Sequence, residues 1–281
     1  MLVTPDDINK VIVAIKNHST YDFSNYSMKS FTRRIEKSLF DFKLDMEKLL
    51  KAIKENNDFF IEKLVKNITV NTTELFRDPK AWHALKYKIF NQFNDVRRIN
   101  IWHAGCSTGQ EVYSMLILLN ELDLFDKVNL FATDINEDVL KTAKKAEYTY
   151  RFNMEYFENF DRVIKENPFN YEVIYDVPYT KYFEIDKVND LIKVHDFLRK
   201  KPIWIKHDLV TEGNVFNTKF DLIMCRNVLI YFNTDLQSSV FETFYHSLFR
   251  NGVLMIGIHE SIIGHMANRF IKSGLIYLRK D

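Results

Sequence analysis

Residues Ile99 to Leu122 read INIWHAGCSTGQEVYSMLILLNEL, and this stretch decides the fold class. Ile99–Ala104 is a near-continuous apolar run of strand length, as a parallel strand covered on both faces should be. Gly105 and Gly109 then bracket a short polar loop, where the backbone can turn sharply and approach a ligand closely. Val112, Met115, Leu116 and Leu119 follow at helical spacing. Strand, glycine turn and helix together make the first half of a βαβ unit.

Working outward, Val128–Thr133, Ile203–His207, Phe220–Cys225 and Val253–Gly257 repeat the strand pattern. Asp235–Phe249 is helical by Leu236, Val240, Phe244 and Leu248. Alternating strands and helices predict an α/β chain with a doubly wound sheet. Phe270–Ile271 and Leu275–Leu278, joined through Ser273-Gly274, read as a closing hairpin at the sheet edge, and Asn251-Gly252 as a turn before the last parallel strand. Tyr182–Asp186 and Leu191–Asp196 alternate around Val188-Asn189-Asp190, predicting a hairpin inserted at about 180–200. Arg151 to Tyr179 receives no assignment.

Upstream, the pattern is helical without a strand. Thr4 is an N-cap with Pro5 in the first helical position, and Ile8, Val11, Ile12 and Ile15 form one apolar stripe. Met28–Phe40, Met46–Lys54 and Asp58–Lys66 are further helices. In the second, Phe31, Ile35 and Leu39 share one side while Lys29, Arg33, Arg34 and Lys37 share the other. A small all-helical domain is expected over 1–68 and the sheet domain over 69–281.

The chain has 281 residues, 46% hydrophobic and 27% charged, enough for a sizeable core and against disorder. Lys and Arg total 39 against 38 Asp and Glu, so no bulk positive field draws in nucleic acid or a membrane. Cys106 and Cys225 are the only cysteines, which excludes a disulfide scaffold and suits a reducing cytoplasm. No apolar run approaches the length of a membrane span. A cytoplasmic monomer is expected. His103, His207, His246 and His259 lack metal-ligand spacing and read as structural, so no metal is expected.

Ligands of open α/β sheets bind beyond the carboxyl ends of the strands. The glycine loop after the first strand lacks both the G-x-G-x-x-G spacing and the lysine of a phosphate loop. Asp134, ending Phe131-Ala132-Thr133-Asp134, suits the paired hydroxyls of a ribose; the competing reading makes it a cap for the helix Glu137–Lys145. A glycine loop plus a ribose-type acid, without a diphosphate fingerprint, favours an adenosyl ligand lacking phosphates, such as S-adenosylmethionine.

Four ordered blocks make the reading specific. Asn71-Thr72-Thr73-Glu74-Leu75-Phe76-Arg77, Trp102 to Ser114, Phe131 to Asn136, and Phe220 to Phe232 (FDLIMCRNVLIYF) resemble the CheR family, the S-adenosylmethionine-dependent methyltransferases that esterify glutamates of chemotaxis receptors. The helical N-terminus, with Tyr26 and Arg33-Arg34, resembles the family's N-terminal domain more loosely. The resemblance implies a Rossmann-like class I methyltransferase domain with an inserted β-hairpin subdomain behind the helical domain.

It also implies roles. Asn71, Thr73 and Arg77 would reach the methionyl end of the cofactor, with Arg77 beside its carboxylate or the transfer site. Gly105 would border the cofactor, Glu111 would meet its amino group and Asp134 its ribose. Asp208 and Leu209 would flank the adenine. Cys225 and Arg226 would close the pocket, and Tyr231 would lie near the methyl group. Arg77, Arg226 and Tyr231 are the expected catalytic residues, either arginine holding the substrate carboxylate and the tyrosine donating to it. Arg33 and Arg34 would face an acidic receptor helix, the expected partner. A solvated glutamate is already anionic at neutral pH, so alignment and exclusion of water are the enzyme's task. His259-Glu260-Ser261 is similar to another family block and is given no chemistry. Family members that tether to a receptor's C-terminal peptide carry a glycine-rich loop in the hairpin, whereas Glu184 to Leu198 contains no glycine. Two rivals are a module that senses the cofactor without catalysis and an RNA methyltransferase; the near-neutral charge disfavours the second.

Overall fold

In chain order the strands are β1 (Ile99–Ala104), β2 (Val128–Asp134), β3 (Glu147–Thr149), β4 (Phe183–Asp186), β5 (Leu191–Val194), β6 (Ile203–Lys206), β7 (Phe220–Cys225), β8 (Leu248–Ile256), β9 (Phe270–Ser273) and β10 (Ile276–Arg279). The structure is a computed structural model and describes residues 3–55, 58–93 and 98–281. The expected 1–68 domain includes residues 1–2 and 56–57, which lie outside the described residues.

The main sheet runs β6-β2-β1-β7-β8-β10-β9. β1 is parallel to both neighbours, with Trp102 opposite Phe131 of β2 and Ile223 of β7. β6 and β8 extend the parallel array, and β10 lies antiparallel to β8 and β9. Strand order reverses between β1 and β7, which puts the switch point, and the expected crevice, beyond Ala104 and Cys225.

Each face of the sheet has its own apolar layer. Ile101, Leu130, Leu222 and Met224 pack with Val112, Met115 and Leu116 of the helix that follows β1. Trp102, Ile223 and Cys225 share the opposite layer with Leu236, Val240 and Phe244 of the helix Thr234–Ser247. Trp102 is fully buried, and its Nε1 donates to Thr133 Oγ1 at 2.9 Å. Truncating it to alanine would cost about 3–5 kcal/mol.

The N-terminal helices α1 (Pro5–His18), α2 (Met28–Phe42), α3 (Met46–Lys54) and α4 (Asp58–Ile68) pack around a separate core of Ile8, Val11, Ile15, Phe31, Ile35 and Leu64. Thr4 forms the capping box with Asp7: its hydroxyl accepts from Asp7 N at 3.2 Å, and Asp7 Oδ2 accepts from Thr4 N at 3.1 Å. α2 ends at Lys43, which takes φ +54° and donates its N–H back to Phe40. The helical unit is tied to the sheet unit by Lys66–Asp138 at 2.8 Å and Glu62–Lys206 at 3.0 Å. No helix among the described residues is long and apolar enough to cross a membrane.

Two details differ from expectation. The β4–β5 hairpin is present, but β3 pairs with the other side of β5 to make a three-stranded sheet; its three residues are too few to show a period. β8 starts at Leu248 rather than Val253, but its pairing with β7 breaks after Leu248 and resumes at Val253, with Asn251 at φ +60° in the irregular stretch between. Residues 151–165 are short helical turns whose Phe157, Phe160 and Val163 join the main core, while 166–178 are irregular apart from a Glu166–Ile174 bridge and leave Phe169 and Tyr171 exposed.

Candidate active site

The carboxyl ends of β1, β2, β6 and β7 open into one cleft of about 1060 Å³, open solvent included. The loop after β1 forms its floor. Gly105 takes φ +76°, and its N–H and that of Cys106 both donate to Thr133 O, at 2.8 and 2.9 Å. A Cβ on Gly105 would stand 2.5 Å from Val228 Cγ2, so only glycine fits between the two loops. α5 (Pro79–Ala84), α6 (Gln110–Glu121) and α7 (Glu137–Lys145) follow in sequence the loops that carry Arg77, Gly105 and Asn136.

Asp134 ends β2 inside this cleft, 8% exposed. Its carboxylate accepts from Ser107 N at 2.8 Å and Asn136 N at 2.9 Å. Burial pushes the carboxyl above its ordinary value, against the pull of the backbone N–H groups of Asn136, Ser107 and Ile135. Asn136, not Asp134, caps α7, accepting from Asp138 N at 3.0 Å. The capping alternative for Asp134 is thereby removed.

Asp208 and Leu209, just after β6, line the same cleft. Burial raises the Asp208 carboxyl too, although Val210 N and the Thr211 hydroxyl donate to it, at 2.9 and 3.1 Å. Ser107 lines the cleft with its hydroxyl buried and without a partner among the described residues. An orphaned hydroxyl, a glycine cradle and two carboxylates suit an adenosyl group rich in donors and acceptors. Among the described residues, no group of three or more His, Cys, Asp or Glu side chains is arranged to hold a metal ion.

The other half of the cleft is built around Arg226, at the end of β7. Its guanidinium is 1% exposed and donates to Glu111 Oε2 at 2.9 Å and to Asp78 Oδ2 at 2.6 Å. It also donates to Arg77 O at 3.0 Å. Glu111 Oε1 accepts from His103 Nδ1 at 3.1 Å, which sets the protonated ring nitrogen. Burial pushes the Glu111 carboxyl up, but His103 and Arg226 together hold it below its ordinary value. Arg226 is therefore committed to two carboxylates and a carbonyl. It anchors the site and still lines the cleft, with its Nε buried and without a partner among the described residues.

Arg77 lies between Phe76 at φ +49° and Asp78 at φ +57°. This loop is pinned: Phe76 N donates to Ser114 Oγ at 2.8 Å, and Trp82 Nε1 donates to Arg77 O at 2.9 Å. The Arg77 side chain, about one-third exposed, lines the cleft with Nε 3.2 Å from Glu74. Asn71 and Thr73 line it as well. The half-buried Tyr231 hydroxyl has its acidity lowered by burial while feeling the positive charge of Arg34, Arg33 and Arg77.

One residue expected to close the pocket is elsewhere. Cys225 is not among the lining residues; its side chain packs with Trp102, Ile223 and Leu229 on the opposite layer. Arg33 is exposed and does not line the cleft. Arg34 does, and it does not share Arg33's solvent face. It donates to the carbonyls of Asn67, Ile68 and Thr69, closing the end of α4. Cys106 lines the cleft, but burial pushes its thiol well up, so it is a packing group rather than a nucleophile.

Sequence reasoning missed Tyr26 and Glu260. Tyr26 reaches the cleft from the helical unit. Glu260, 9% exposed, accepts from the N–H groups of Gly257 at 2.6 Å, Asn227 at 3.0 Å and Ile230 at 3.2 Å. It clamps the loop after β7, including Asn227 at φ +61°, and so helps place Arg226, Val228 and Tyr231. Its position in a family-like block was the available signal.

A family model described as "CheR methyltransferase, SAM binding domain" matches residues 71–162 and 163–277. The chain is 34% identical over 260 residues to the Pseudomonas putida protein Cher3, covering 92% of this chain and 90% of that one. It is 28% identical to a chemotaxis protein methyltransferase of Borreliella burgdorferi, covering 96% of this chain and 93% of that one. A chemotaxis protein methyltransferase of Listeria monocytogenes is 30% identical over 72% of this chain and 70% of its own length.

Proposed function

The chain belongs to the CheR methyltransferase family, and on that premise we propose that it transfers the methyl group of S-adenosylmethionine to glutamate side chains of chemotaxis receptors, yielding glutamate methyl esters and S-adenosylhomocysteine. One observation carries the substrate half of this reading: the Tyr231 hydroxyl in the cleft feels the positive charge of three arginines. They are Arg34, Arg33 and Arg77, of which Arg34 and Arg77 line the cleft as well. A carboxylate is the acceptor that such cationic surroundings favour.

When bound, S-adenosylmethionine supplies a methyl carbon on a sulfonium; a carboxylate oxygen forms the new bond while sulfur keeps the old bonding pair, and no proton moves. The protein's residues then have limited duties. Asp134 accepts from the ribose hydroxyls, and Asp208 and Leu209 border the adenine. Glu111 offers negative charge to the ammonium, its orientation set by His103 and Arg226. Asn71 and Thr73 border the methionyl end. Arg77 holds the incoming glutamate carboxylate, and the Tyr231 hydroxyl donates to it. A glutamate in water has a pKa of about 4.3 and is already ionised, so these groups act by alignment and by displacing water. The helical unit, residues 1–68, presents Lys29 and Arg33 on the exposed side of α2 to the receptor.

The test is labelled cofactor with receptor fragments, scored for base-labile methyl release. Ester formation supports the reading. Base-stable label on RNA would instead indicate an RNA methyltransferase, and cofactor binding without transfer to receptor or RNA would indicate a sensing module.

A further inference from the structure

Tyr26 belongs to the turn before α2, outside residues 71–277 covered by the family model, yet it lines the cleft. Its place is set by backbone pairing rather than by a loose packing contact. Ser27 N donates to Tyr231 O at 2.8 Å, and Asn233 N donates to Asn25 O at 2.9 Å. Between these bonds Tyr26 forms a bridge with Phe232. The ring is held edge-on by Phe23 and Phe232, with centroids 4.7 and 5.1 Å away. A segment of the helical unit is thus locked in register with the segment that carries Tyr231.

The ring is well anchored, but the hydroxyl at its tip has no hydrogen-bond partner among the described residues. The charged groups it feels are Asp208 and Asp134, both already supplied with N–H or O–H donors from neighbouring loop residues. Burial and these two carboxylates keep the phenol protonated. It is a donor without an acceptor, beside the two acids assigned to the adenosyl end. A nucleoside hydroxyl or ring nitrogen at that end would accept from it.

We infer that Tyr26 is a cofactor-binding residue whose hydroxyl donates to the adenosyl half of the bound ligand, so that the helical unit completes the cofactor site. The inference rests on the S-adenosylmethionine reading above. Its consequence is coupling: bound nucleoside links α2 to the sheet unit, and the surface offered to the receptor is steadied by the cofactor.

The test is calorimetry of S-adenosylhomocysteine and of 5′-methylthioadenosine, which lacks the amino-acid half, on the full-length wild type, Tyr26→Phe and Tyr26→Ala. Wild-type binding of S-adenosylhomocysteine checks the underlying reading by itself; no binding there would overturn that reading before Tyr26 is considered. Given binding, Tyr26→Phe should weaken both ligands by the same factor, roughly 3- to 10-fold. Tyr26→Ala should weaken them further, by loss of the ring between Phe23 and Phe232. Without ligand, Tyr26→Phe should melt at the wild-type Tm, since its hydroxyl has no partner to lose. Unchanged affinity in Tyr26→Phe, a loss confined to S-adenosylhomocysteine, or a lowered Tm of the free variant would each overturn the inference.

Discussion

Arg226 and Glu111 stand 115 residues apart in the chain and meet at 2.9 Å beneath the cleft. Through this contact the end of β7 is fastened to the start of α6, and through Asp78 to the loop that carries Arg77. A guanidinium that is 1% exposed cannot lose its partners cheaply, nor they it.

Arg226→Met should therefore reduce stability by about 3–5 kcal/mol, because Glu111 and Asp78 are left uncompensated. Urea unfolding measures this. The wild-type pair also predicts acid sensitivity. The folded Glu111 carboxyl lies below its ordinary value, so its contribution is present above the unfolded value of about 4.3 and is lost as pH falls through the folded one. A variant as stable as wild type would show the pair to be unimportant.

Asp134 shifts in the opposite direction. Its folded pKa is raised by burial, so its share of stability is fully present below the unfolded value and is lost as pH rises through the folded one. Cofactor affinity should run the other way, falling as pH drops through that raised pKa, because only the ionised form accepts from both ribose hydroxyls. Asp134→Asn should weaken S-adenosylhomocysteine by about 1.5–3 kcal/mol and flatten this part of the pH profile. Calorimetry from pH 4 to 8 decides it; an unchanged profile would remove Asp134 from the site.

Tyr231→Phe and Arg77→Ala should each lower kcat by roughly 10- to 100-fold, the scale of one charge-assisted hydrogen bond. The KM for cofactor should move little, since their contacts are made to the acceptor in the transition state. A rise in cofactor KM with kcat intact would place both residues with the cofactor instead.

Arg33 and Arg34 should separate. Arg33→Glu should slow receptor methylation and make its rate less steeply salt-dependent, since Arg33 is exposed and exposed charges are screened over about 8 Å at physiological salt. Arg34→Ala should instead lower stability by about 1.5–3 kcal/mol, through loss of its charged donors to the end of α4. Stopped assays across ionic strength, with thermal melts, distinguish the two. Equal behaviour in both variants would contradict the different environments of these side chains.

Much of this was legible locally. The apolar run Ile99–Ala104, the glycines at 105 and 109 and the helical spacing after Val112 needed only neighbouring residues to imply strand, turn and helix. Asp134 at a strand end was also legible, because the carboxyl edge of a parallel sheet is where a short polar residue meets ligand. The all-helical start followed from apolar spacing and the cap at Thr4.

Which side chains face the cleft was decided only by the tertiary structure. Parallel strands buried on both sides read as unbroken apolar runs, so nothing in Phe220–Cys225 revealed that Cys225 packs with Trp102, away from the cleft. The helical period grouped Arg33 with Arg34, but α4 ends beside only one of them, and its free carbonyls claim Arg34. Arg226 takes its carboxylate partners from Asp78 and Glu111, 148 and 115 residues away, and Tyr26 reaches the cleft because Ser27 pairs with Tyr231. Local sequence sets backbone conformation because dihedral preferences and periodicity act over a few residues. The partners of a buried charge or hydroxyl come from segments joined only in the folded chain, where desolvation makes those contacts matter.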